Sequence, residues 1–183
     1  EARMMAALVE DPALVTRRQM DAWAADFDNW AICDTACFHL FSRTPFAWDA
    51  ARRWAKSPRE FVKRAAFALM ASLVLRDKAA ADAKFLALLP LIEKGAQDER
   101  NFVKKGVNWA LRTVGKRNAV LNAGAIAVSR RLAAAEEAAP RWVGKDALRE
   151  LAGPAVQARL ARKPSATGRA GARRPAAAPG KRG

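Results

Sequence analysis

The sequence predicts an all-α protein, a right-handed solenoid of antiparallel helix pairs, and three observations carry that expectation. Hydrophobic residues make up 51% of the 183, yet Tyr is absent and alanine abounds, with long stretches free of glycine and proline. Such a composition favours packed helices over sheet. No run alternates convincingly with period two, the pattern of a half-buried strand. The third observation is an internal repeat. Phe61-Val62-Lys63-Arg64 returns as Phe102-Val103-Lys104-Lys105, and each is followed by an aromatic-Ala-Leu triplet, Phe67-Ala68-Leu69 and Trp109-Ala110-Leu111.

Punctuation places the individual helices. Asp11-Pro12, Thr44-Pro45, Ser57-Pro58 and Gly153-Pro154 each offer a cap or a first-turn proline. Apolar periodicity between them gives helices over 2–10, 12–25, 28–41, 45–55, 58–76, 80–94, 98–116, 118–135, 144–151 and 154–162. The two repeat helices open on matching start signals, Ser57 with Pro58 and Glu60, then Asp98 with Asn101. A period of roughly 41 residues is that of two-helix repeats of the HEAT or armadillo type. Residues 1–162 are therefore expected to form one HEAT-like repeat domain, large enough to bury its own core. The chain opens at Glu1 already in helical pattern, so further N-terminal helices are expected to be missing from it. Residues 163–183 are rich in Ala, Gly, Pro and Arg, and a disordered basic tail is expected there.

Charge narrows the partner. Lys and Arg number 33 against 18 acidic residues, a net charge of +15. Seven of the basic residues lie in 162–183, which holds no acid; the remaining 26 against 18 still leave the body at +8. A polyanion such as DNA or RNA is the natural partner of such a chain. Cys33 and Cys37 stand i, i+4 without the further ligands that a zinc site needs, and reduced thiols fit a reducing cytosol. No apolar run approaches the roughly 18 residues of a membrane span, and no signal peptide is visible.

Helical phase sorts the candidate functional residues. On the helix over 98–116, Lys105, Trp109, Arg112 and Lys116 share one stripe, whereas Val103, Val107, Ala110, Leu111 and Val114 form the core face. An indole among cations on an exposed face suits contact with phosphates and bases. On the helix over 58–76, Arg64 stands opposite Val62, Leu69 and Leu73. Its own stripe carries Ala68 and Ala71, small enough to admit a DNA backbone while Arg64 reaches a phosphate; a solvated surface arginine is the other reading. On the helix over 28–41, Trp30 and Asp34 share a face that continues through Cys37, Phe38 and Phe41. An acid among apolar neighbours needs a partner or a task, and a capping or interhelix salt-bridge carboxylate is the alternative to a functional one. His39, the single histidine, is expected to have only a packing or surface role.

Taken together these stretches resemble the DNA alkylation repair glycosylases of the HEAT-repeat superfamily. The likeness rests on Asp28-Asn29-Trp30-Ala31-Ile32-Cys33-Asp34, on Ser57 through Arg64, and on Asn101 through Arg112, supported by Arg141-Trp142-Val143-Gly144-Lys145-Asp146. It covers roughly 1–161. Ala31 departs from the family, which often carries an acid there. The resemblance implies excision of cationic N3- or N7-alkylated purines from duplex DNA, by a monomer in the bacterial cytoplasm that is associated with the nucleoid, with no cofactor, metal or membrane. It implies that Trp30, Asp34 and Trp109 surround the damaged nucleotide and that Arg64 grips the backbone. Asp34 would stabilise the oxocarbenium-like sugar and orient water, and Lys63, Lys104, Lys105, Arg112 and Lys116 would join Arg64 on the DNA. A catalytically silent module binding duplex or branched DNA, and a protein-interaction solenoid, are the competing readings.

Overall fold

Among residues 2–162, which the computed structural model describes, eleven α-helices and no strand are found. The expected tail from 163 onward lies outside the described residues. The helices are α1 (Ala2–Val9), α2 (Arg17–Ala25), α3 (Trp30–Thr35), α4 (Ala47–Trp54), α5 (Glu60–Arg76), α6 (Asp82–Leu86), α7 (Leu89–Gly95), α8 (Asn101–Gly115), α9 (Ala119–Ala133), α10 (Ala138–Leu151) and α11 (Pro154–Ala161).

Several boundaries differ from those expected, each for a local reason. Asp11-Pro12 forms a turn, with Asp11 accepting from the Ala13 N–H at 2.9 Å, and α2 waits for Thr16, whose hydroxyl accepts from Gln19 N–H. The expected helix over 80–94 is two, because α6 ends at Leu86 and α7 restarts with Pro90 in its first turn, where no N–H is needed. By the same logic Pro140 sits in the first turn of α10, which begins at Ala138 rather than 144. Ser57 and Asp98 do not cap: they bond to the backbone N–H of Arg59 and Arg100, and the helices begin one residue later, at Glu60 and Asn101.

The repeat is real in space. α5 and α8 start in equivalent register and pack side by side, and the repeated Phe61 and Phe102 rings meet at 5.2 Å. α3, α5, α8 and α10 form one layer in that order; α4 backs α5, α7 backs α8, and α9 backs both α8 and α10. α5 is the hub. Every residue from Arg64 to Val74 is buried, so the helix lacks a polar face, as a helix enclosed on all sides must. Ala65, Ala66, Ala68 and Ala71 let its neighbours approach, while Phe67, Leu69 and Met70 each add about 1.5–3 kcal/mol of burial.

In this layer the fifth residues of the four helices are Asp34, Arg64, Lys105 and Trp142. Asp34 meets Arg64 between α3 and α5, and Lys104 meets Trp142 between α8 and α10.

Candidate nucleic-acid interface

Asn29 begins the site. Its side chain accepts from the Ile32 N–H at 3.1 Å and starts α3 at Trp30, whose indole is 54% exposed. Asp34 follows one turn later on the same face. Beyond Thr35 the chain widens into a π-helical turn, Ala36–Leu40, which breaks the 100° phase. The expected continuation of that face is therefore corrected: Cys37 and Phe41 point into the core and are wholly buried. The two thiols donate to carbonyls of α5, Cys33 to Phe61 O and Cys37 to Ala65 O, which ties α3 against the hub. Burial pushes the Cys37 thiol well up, so it stays protonated and inert. His39 lies exposed against the edge of Phe38.

Arg64 fixes Asp34. The guanidinium donates through Nε to one carboxylate oxygen at 3.0 Å and through Nη2 to the other at 2.6 Å. Its Nη1 donates to Phe102 O at 2.8 Å, so one side chain links α3, α5 and α8. Such a fork-to-fork pair orients a carboxylate closely. Burial outweighs the guanidinium, and the Asp34 carboxyl lies above its ordinary value. The Asp34 side chain nevertheless remains 21% exposed.

The other expected contacts divide sharply. Arg64 is buried rather than solvent-facing, and Ala68 and Ala71 are packed under neighbouring elements, so no DNA backbone approaches along that stripe. Lys63 is bound to Asp98 at 2.8 Å. Arg112 pairs with Glu150 and Asp146, and Lys116 with Glu150 at 2.8 Å. These three cations are held by acids of neighbouring segments. Lys105 is exposed, and Lys104 lies over the Trp142 ring at 5.2 Å; no carboxylate pairs with either among the described residues. Trp109 is half-buried, with part of its indole against the core, so it belongs to both faces of α8. Asp34 and Trp30 stand together on α3, whereas Trp109 lies across α5 on α8. Sequence reasoning named Trp142, Lys145 and Asp146 only as part of a likeness and gave them no role, and it did not single out Glu150. The recurrence of acids at Asp146 and Glu150, i, i+4 on one face, was the available signal.

The fold and this edge define a HEAT-like helical-repeat protein. The family model for DNA alkylation repair enzyme matches residues 1–151, and the chain belongs to that family. A similar solved structure is described as "a new family of proteins related to the HEAT-like repeat DNA glycosylases with affinity for branched DNA structures". It has a TM-score of 0.67 and 19% sequence identity, covering 87% of this chain and 69% of that one, a likeness that speaks for the fold. No curated protein matches the chain. No helix among the described residues is long and apolar enough to cross a membrane.

Proposed function

We propose that the protein is a DNA glycosylase that releases cationic N3- or N7-alkylated purines from duplex DNA, acting as a monomer on the bacterial nucleoid. The observation that carries this reading is Asp34, a partly exposed carboxylate aimed by Arg64 one turn from an exposed indole. An alkylated purine already bears a positive charge and leaves without a strong general acid. What the reaction needs is a negative charge beside the sugar as the glycosidic bond breaks. Asp34 supplies it and accepts a hydrogen bond from the attacking water, since the Arg64 fork leaves each carboxylate oxygen a further lone pair. Trp30 and the exposed part of Trp109 face the charged base and deoxyribose; cation–π attraction of about 0.5–2 kcal/mol favours a charged lesion over a neutral base.

One observation favours a second reading, a silent module for duplex or branched DNA. Both Asp34 oxygens are engaged by a full positive charge, which weakens the field at the sugar. Incubation with methylated duplex, followed by chromatography of freed base and cleavage at abasic sites, separates the two. The glycosylase reading expects 3- or 7-methylpurine release by the native chain, and at least a hundredfold loss in Asp34→Asn with DNA affinity nearly unchanged. DNA binding with no base released leaves the silent module standing.

A further inference from the structure

We propose that Trp142, set among Lys104, Lys105 and Lys145, is a stacking platform for an unpaired nucleobase where duplex DNA opens into single strand. The proposal rests on the DNA-binding reading above and adds a surface far from Asp34. Trp142 is 41% exposed at the fifth position of α10, although Val143 and Ala147 beside it are buried in the α9 and α10 core. A large indole left in water on a well-packed helix is available for a partner. Lys104 lies over the ring from α8 at 5.2 Å, and Lys145 stands one turn on from Trp142 along α10. Lys105 and Lys145 are exposed, and no carboxylate pairs with any of the three lysines among the described residues.

The contrast on the same two helices gives this cluster its meaning. One turn or more towards their C-terminal ends, Arg112, Lys116 and Arg149 are all consumed by Asp146 and Glu150. The lysines left without a carboxylate on these helices thus include the one that lies against the indole. An exposed aromatic ring beside free ammonium groups is the arrangement that holds a strand by its phosphates while a base stacks.

The partner must offer an open base face. Inside continuous duplex every base is covered on both sides, so an indole would meet only sugar and phosphate, where a lysine serves as well. A base beside a branch or overhang has a free face. Trp142 lies three helices from Asp34 along the layer, roughly 25 Å at ordinary helix spacing, or on the order of seven base pairs along a duplex. A duplex crossing the layer from α3 to α10 would therefore present its branch to Trp142 while its paired stretch passes Asp34.

Anisotropy titration of the full chain on a blunt duplex, and on the same duplex carrying a single-stranded fork, tests this. The native protein should prefer the fork by about tenfold, and Trp142→Ala should bring that ratio close to one, with Trp142→Phe restoring most of it. A second measurement reads stacking in the native chain itself. At saturation the native chain should quench 2-aminopurine at the first unpaired position far more than the same label placed inside the duplex. Native binding to both DNAs without preference or quenching overturns the platform alone. Failure to bind either DNA removes the nucleic-acid reading itself.

Discussion

Asp34 sits where burial works against its charge, and the Arg64 guanidinium offsets part of that burial. Its carboxyl lies above the ordinary value because desolvation exceeds the help from Arg64. A raised carboxyl gives its stabilising contribution below the unfolded-state value and loses it as pH rises through the folded one, so stability falls across that acidic window. Asp98 is the reverse case: Arg100, Lys63 and a backbone N–H hold its carboxyl well below the usual range. Its contribution is present above the ordinary carboxylate value and lost only as pH falls towards the depressed one. Asp98 is therefore a structural acid, and Asp34 is retained at a cost. Removing Asp34 alone strands the buried Arg64 guanidinium, and Asp34→Asn should lose about 3 kcal/mol. The double variant Asp34→Asn/Arg64→Met should recover more than half of that loss in urea unfolding, since an apolar side chain of similar length needs no counter-charge. A double variant weaker than the single would make the pair a stabilising device after all. Sequence alone paired an acid with a task or a partner, and Asp34 has the partner that phase analysis assigned to DNA.

Helices whose ends depend on their own residues were legible, and those shaped by neighbours were not. α5, α8 and α11 lie where periodicity and start signals put them to within a few residues. The π-helical turn after Asp34 was invisible, because a change of hydrogen-bond register leaves no mark in apolar spacing. The helix expected over 144–151 is longer, since α10 begins at Ala138 and runs through Pro140 and Gly144. Gly144 is in fact where α10 touches α9 backbone to backbone: a Cβ there would sit 2.2 Å from Ala133 N and 2.6 Å from Leu132 C. Neither atom can move without shifting a helix. Gly144→Ala should therefore destabilise by on the order of 3 kcal/mol, despite a gain in helix propensity of up to about 1 kcal/mol. Thermal melting checks it, and a variant as stable as the native chain would mean that α10 stands farther from α9. Because α10 carries Trp142 and the acids that neutralise Arg112 and Lys116, its displacement would also move the free charge of the edge.

At the scale of the molecule, net charge forecast a polyanionic partner but not which cations meet it. The helical wheel of α8 put Lys105, Arg112 and Lys116 on one stripe, correctly for a lone helix. In the solenoid α10 lies alongside, and Asp146 and Glu150 take up the C-terminal half of that stripe. Pairing between helices is a tertiary fact, and no reading of one helix contains it. The consequence is measurable through counterion release, in which each phosphate neutralised contributes about 0.9 to the slope of log affinity against log salt. Lys104→Gln, Lys105→Gln and Lys145→Gln combined should make the slope shallower by roughly 2–3, because these side chains are free to meet phosphates. Arg112→Gln with Lys116→Gln should change it by less than about 1, since both are already neutralised by carboxylates before DNA arrives. Differences between variants cancel whatever residues 163–183 contribute, which a single native slope could not do. Equal changes in the two variants would mean that DNA breaks the α8–α10 ion pairs on binding, and the interface would then extend along the whole stripe rather than gather at its N-terminal edge.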